Sequence, residues 1–166
     1  MDTFEAVKAV TKNQIQDIAS MANIIWHEHF TPIIGIGQVE YMIEKFQSVP
    51  ALTSQIKEGY EYYQLFSNGK FCGYCGIHPE NGKLFLSKLY VKKEYRGRHL
   101  STKALDFLKE LCAERELSSI WLTCNKHNDN SLSVYRHWGF ETVDTQVADI
   151  GHGYVMDDYI MEYAIS

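Results

Sequence analysis

The chain has 166 residues, 45% of them hydrophobic, with 16 basic against 21 acidic side chains and a formal charge of −5. That length fits one domain, residues 1–166, with a real core. The acidic balance argues against nucleic-acid binding by phosphate neutralisation and suits a cationic ligand. No segment approaches the ~20 apolar residues that cross a bilayer, and MDTFEAVKAV has acids where a secretion signal is basic and then apolar, so a cytoplasmic protein with no membrane or nucleic-acid partner is expected.

In chain order, FEAVKAV reads as a strand, and Asn13 to His29 places Ile15, Ile18, Met21, Ala22, Ile25 and Trp26 at helical spacing before TPIIGIG ends the pattern. A second helical region runs from Gln38 to about Tyr60, interrupted near Pro50. YEYYQLF, KFCGYCGIH and KLFLSKLYV are β-rich runs separated by SNGK and PENG, which predicts an antiparallel three-stranded meander. Leu100, Ala104, Leu105, Leu108, Leu111 and Cys112 mark a long helix, SSIWLTC a buried strand, and about Asn128 to His137 a short helix. FETVDTQV and YVMDDYIMEYAI close the chain as strands joined through IGHG, giving the order βααβββαβαββ. Cys72 and Cys75 have the spacing of a metal knuckle, but on a strand they are expected on opposite faces, and no second pair accompanies them, so no metal is expected.

Two stretches carry chemistry. In VKKEYRGRHLSTKAL a strand gives way to a helix whose first N–H groups have no acceptor within the helix and face the positive end of its dipole, so the turn can hold an anion by main chain alone. Arg96 and Arg98 flank it, and Ser101 adds a hydroxyl. His99 excludes the tightest backbone path unless its φ is negative. In NDNSLSVYRHWGF, Asn128, Ser131 and Tyr135 share one side of a helix that Gly139 ends.

Together these stretches resemble the GCN5-related N-acetyltransferase (GNAT) family: the first looks like its R/Q-x-x-G-x-G/A signature, the second like its N-x-x-A-x-x-x-Y-x-x-x-G-F segment. The resemblance implies an α/β (α+β) fold with a mixed, mostly antiparallel sheet of about seven strands flanked by helices. It also implies acetyl-CoA (coenzyme A) as cofactor, gripped by Leu89, Tyr90, Val91, Arg96, Gly97, Arg98, His99, Leu100, Ser101, Asn128 and Ser131, with Tyr135 beside the sulfur as proton donor. The chain departs from the signature at His99 and Ser101, and Ser87 stands where many relatives place a glutamate.

The ends of the chain are loosely similar to bacterial spermidine/spermine-type acetyltransferases, so the expected reaction is acetylation of a primary amine of a small molecule, with a polyamine favoured. Acetylation of a peptide or protein, or a catalytically silent acyl-CoA sensor, are the alternatives, and a homodimer is left open. Trp26, His29, Tyr41, Ser87, His152, Tyr154 and Asp157 are the expected acceptor-side residues. The base stays open among Tyr90, Glu28, His29, Asp157, Asp158 and a water relayed from Ser87.

Overall fold

The computed structural model describes residues 3–97 and 99–165. It contains strands β1 (Phe4–Lys8), β2 (Glu61–Ser67), β3 (Lys70–Glu80), β4 (Lys83–Val91), β5 (Ser119–Asn125), β6 (Glu141–Gly151) and β7 (Tyr154–Ala164). Its helices are α1 (Lys12–Ile34), α2 (Ile36–Phe46), α3 (Val49–Lys57), α4 (Leu100–Glu114) and α5 (Asp129–His137). The strands form one seven-stranded sheet in the order β1-β2-β3-β4-β5-β7-β6, in which only β4 and β5 run parallel.

The meander is built as expected. Asn68 and Gly69, then Asn81 and Gly82, supply consecutive positive φ angles of 52° and 79°, and 53° and 75°, which are the tight hairpin turns that Asn-Gly pairs favour. The helical segments differ from expectation in two ways. The first helix starts from a capping box of Thr11 and Gln14 and runs through Pro32 to Ile34; it ends only at Gly35, whose φ of 86° leaves the helical region. The second helical region is two helices. Ser48 caps α3, and Pro50 sits in that helix's first turn, where its missing N–H costs nothing.

The sheet separates two cores. Helices α1 to α3 bury Ile18, Ile25, Trp26, Val39 and Leu52 against Tyr62 and Tyr74 on one face. Helices α4 and α5 bury Leu105, Leu108, Cys112 and Leu132 against Leu65, Ile77, Leu86 and Met161 on the other.

Two bulges adjust the alternation of side chains. In β3, Gly73 pairs Leu65 and Phe71 pairs Phe66, so Cys72 is the extra residue. The bulge puts Cys72 and Cys75 in the same core, contrary to the opposite faces expected of an unbroken strand. All four cysteines are free and buried. In β4, Lys88 pairs Gly76 and Leu86 pairs Ile77, so Ser87 bulges. Before it Leu84 and Leu86 face the α4 side; after it Leu89 and Val91 do, and Tyr90 faces α1.

Among the described residues no helix is long and apolar enough to cross a membrane.

Candidate active site

The site is a split in the sheet. Strands β4 and β5 are paired only at Leu84–Ile120 and Phe85–Trp121, and beyond that their backbones part. The N–H of Lys92 reaches the Cys72 carbonyl at 2.7 Å. Because successive residues of a strand direct their polar groups to opposite sides, Leu89 and Val91 turn their N–H and C=O away from β3, into the gap. The Val91 carbonyl there accepts from Nε of Arg96 at 3.1 Å.

Two adjoining cavities lie in this split. An outer cleft of about 840 Å³ is lined by His29, Leu89, Tyr90, Val91, Arg96, Gly97, His99, Leu100, Ser101, Ser131, Tyr135 and Trp138, among others. An inner pocket of about 90 Å³ is lined by Trp26, Phe30, Ser87, Lys88, Asn125, Asn128, Met156 and Asp158, among others. Leu89, Tyr90, Ser131 and Tyr135 border both.

The anion turn is more irregular than a strand running straight into a helix. A 3-10 turn, Lys93–Tyr95, precedes it, and Gly97 follows at φ 82°. His99 lies at φ 60° and ψ 21°, so it adopts the left-handed path rather than avoiding it with a negative φ. Histidine is among the side chains that tolerate this region best, and the backbone keeps the shape a glycine would give it. The first regular hydrogen bond of α4 runs from Lys103 N–H to the His99 carbonyl, which leaves the N–H groups of Leu100, Ser101 and Thr102 without an acceptor inside the helix. All three residues border the outer cleft. Arg98 lies outside the described residues.

Charge is unevenly distributed. No carboxylate lines the outer cleft among the described residues, whereas Arg96, His29, His99 and His137 do, although the chain carries −5. Burial, then the Arg96 charge, lower the His29 pKa, partly countered by a hydrogen bond with Asn128. Tyr135 is half-buried, edge-on to Trp138 and Phe140, and burial raises its phenol far above the ordinary value, keeping it a proton donor.

The inner pocket is mostly aromatic and aliphatic on its α1 side, where Tyr90 packs edge-on against Trp26 and Phe30. Nε1 of Trp26 donates to the Tyr74 hydroxyl, which donates to Gln47, fixing the indole. Asp158 is 5% exposed, and its Oδ1 has no hydrogen-bond partner. Lys88 donates to the Ser87 carbonyl and hydroxyl at 3.1 Å and sits over the Trp26 ring. Burial lowers its ammonium pKa to about 8, with Asp158 pulling the other way.

Of the expected acceptor-side residues, Trp26 and Ser87 line the inner pocket and His29 the outer cleft. Tyr41, His152 and Tyr154 line neither: Tyr41 packs against both other rings, and its hydroxyl donates to the Ile150 carbonyl, pinning α2 to the β6–β7 hairpin. Asp157 pairs with Lys126 at 2.9 Å, and its neighbour Asp158 is the one turned into the pocket. Asn128, expected along the cofactor, lines the inner pocket. Lys88 carries no signal in the sequence, because its direction is set by the bulge at Ser87.

The profile of the family described as "Acetyltransferase (GNAT) family" matches residues 18–140. A protein of Bacillus subtilis subsp. natto (strain BEST195) named probable spermine N(1)-acetyltransferase is 28% identical over 120 residues, 66% of this chain and 79% of that protein. The spermine/spermidine N(1)-acetyltransferase of Bacillus subtilis (strain 168) is 23% identical over the same shares of the two chains. Among solved structures, the PaiA N-acetyltransferase of Thermoplasma acidophilum in complex with coenzyme A superposes with a TM-score of 0.81 at 20% identity, covering 98% of this chain and 99% of that one. The ribosomal-protein-S18-alanine N-acetyltransferase of Escherichia coli superposes at 0.67 and 19% identity over 100% and 95%.

Proposed function

This chain belongs to the acetyltransferase (GNAT) family, and on that footing we propose that it transfers an acetyl group from acetyl-CoA to the primary amine of a small molecule, both held at once in the split between β4 and β5. One observation carries the reading: among the described residues, an outer cleft without carboxylates and an inner pocket with a single one meet at Leu89, Tyr90, Ser131 and Tyr135. An anionic donor and a cationic acceptor are thereby drawn to opposite ends of one passage.

The residues present fit coenzyme A. The outer cleft, at about 840 Å³, is of the size that holds extended ligands. The turned-out polar groups of Leu89 and Val91 offer a strand edge to an amide-bearing arm. The N–H groups of Leu100, Ser101 and Thr102, with Gly97, His99 and Arg96 around them, offer donors to a diphosphate. When bound, acetyl-CoA supplies an activated acyl carbonyl and a thiol leaving group. The Leu89 N–H would donate to that carbonyl oxygen, and Tyr135 would supply its phenolic proton to the thiol leaving group. Asn128 of the inner pocket hydrogen-bonds His29 of the outer cleft and so ties the two linings together. Placement of two reactants accounts for ~7 to 11 kcal/mol of barrier without a covalent enzyme intermediate.

For the acceptor we propose a primary aminoalkyl compound, with di- and polyamines first among candidates; the acidic net charge and the names of two relatives support that order. A thiol-release assay with acetyl-CoA against polyamines, aminoglycosides, amino acids and peptides, paired with calorimetric titration of coenzyme A, tests the reading. Micromolar binding with amine-dependent release supports it. Binding without turnover on any amine favours a sensor, and preference for peptides over every small amine overturns the acceptor class.

A further inference from the structure

We propose that Asp158 is the carboxylate that receives the acceptor's ammonium and accepts its proton, and that Lys88, which borders the same pocket, is a positioning residue for it. The inference rests on the acetyl-transfer reading above and adds to it the polar anchor of the acceptor.

The sequence-level difficulty is Ser87, which stands where a carboxylate base is expected and cannot take up a proton at neutral pH. The structure offers a replacement from a different strand. Asp158 on β7 is in register with Asn125 on β5, and both border the inner pocket on the bank opposite Lys88. A buried carboxylate oxygen without a donor, on a residue that is 5% exposed, costs stability until a ligand supplies one, and an ammonium carries three N–H donors. Other candidates on the pocket wall are poor acceptors: burial keeps Tyr90 and Tyr135 protonated and pushes the Cys124 thiol up to about 12. The cavity of about 90 Å³ beside the aromatic α1 wall has room for a short methylene arm and its ammonium, so the acceptor class that goes with this proposal is a primary amine on an unbranched chain.

The proton balance closes without a co-reactant. The ammonium gives one proton to Asp158 and becomes a neutral amine. Its lone pair forms the C–N bond to the acetyl carbon as the C–S bond breaks. The second surplus nitrogen proton replaces the one that Tyr135 gives to the thiolate, and Asp158 releases its own to solvent. No oxidation or reduction occurs.

The groups around Asp158 set when it is ionised. Burial and then the Asp157 charge raise its pKa to about 6, while Lys88 from β4 and Lys126 after β5 pull it down. Cys124 from β5 and Tyr135 from α5 border the same space, the α1 wall is the apolar Trp26 and Phe30, and the β6 residue in register is the uncharged Gln146.

The test is the pH profile of kcat/KM from pH 5 to 9 with acetyl-CoA and 1,4-diaminobutane. Wild type is expected to show an acid limb near pH 6. Asp158→Asn is expected to lower kcat/KM by ~100 to 10,000-fold and to lose that limb, with coenzyme A binding unchanged by calorimetry. Lys88→Met moves the limb upward and Asp157→Asn moves it downward, a pair of opposite shifts that loss of packing alone does not produce. Wild-type kcat/KM and an intact limb in Asp158→Asn overturn the assignment. Should that variant fail to fold, the other two decide: limbs unmoved in both overturn it equally. Wild-type protein that neither binds coenzyme A nor releases thiol with any amine overturns the transferase reading itself, a distinct failure.

Discussion

Opposite substitutions at the two left-handed positions of the anion turn test whether backbone shape does the gripping. A side chain held in that region costs ~1–2 kcal/mol. In Gly97→Ala the new Cβ meets nothing within 4 Å, so no clash is added and the whole cost is conformational at φ 82°. The loss of ~1–2 kcal/mol corresponds to ~3–6 °C in Tm for a chain of this size and, where the loop relaxes to escape it, to ~5–30-fold weaker coenzyme A binding. His99→Gly relieves the same strain at φ 60°, offset by ~0.5–1 kcal/mol of extra unfolded-state entropy, for a net gain of ~1–3 °C and binding at least as tight as wild type. His99→Ala keeps the Cβ and so keeps the strain. Differential scanning fluorimetry and calorimetry with coenzyme A read both quantities. The reasoning fails if His99→Ala matches His99→Gly, which would make the imidazole the cause, or if Gly97→Ala melts and binds as wild type does.

Three further outcomes follow from the geometry. Tyr135→Phe is expected to lower kcat by ~100 to 10,000-fold with coenzyme A affinity within about twofold; stopped-flow thiol release measures it, and an unchanged kcat removes the phenol from the mechanism. Gly73→Ala would place a Cβ 2.2 Å from the Tyr90 carbonyl, displacing β4 at the cleft floor, so a loss of ~3 kcal/mol in urea unfolding is expected. Asp158 has a folded pKa of about 6, above the ordinary 3.8. The stability it contributes is therefore full below pH ~4 and lost as pH rises through ~6. Asp158→Asn should thus be more stable than wild type by ~1–3 kcal/mol at pH 7.5 and converge with it near pH 4, as thermal melts across that range would show.

The sequence made the element types readable wherever chemistry and period agreed. Asn-Gly pairs announced both hairpins, and the face shared by Ser131 and Tyr135 survived folding because an isolated helix has only one way to display i, i+4 neighbours. Boundaries were harder. TPIIGIG reads as the break, yet the packed α1 carries its Pro32, since the apolar stripe of that helix outweighs one missing hydrogen bond; the stop within that segment is Gly35. The acceptor side was least legible for a different reason. Strand side chains alternate, so a displacement of one residue exchanges inside for outside. The bulge at Ser87 turns Lys88 toward α1, and the pairing of β7 turns in Asp158 rather than Asp157. Neither bulge nor register is written in local composition. Tyr41, His152 and Tyr154 gathered as aromatic residues often do, but they tie a helix to a hairpin.

The division of the interior by the sheet bears on how such a protein diversifies. Helices α1 to α3 and helices α4 and α5 fill independent compartments, so a lineage can rework the first three helices to admit a new amine while the half that handles the nucleotide is inherited unaltered. Chimeras exchanged between Lys12 and Tyr60, a span that carries Trp26, Phe30, Ile34 and Met42 of the inner pocket, should accordingly trade acceptor preference without trading their thioester.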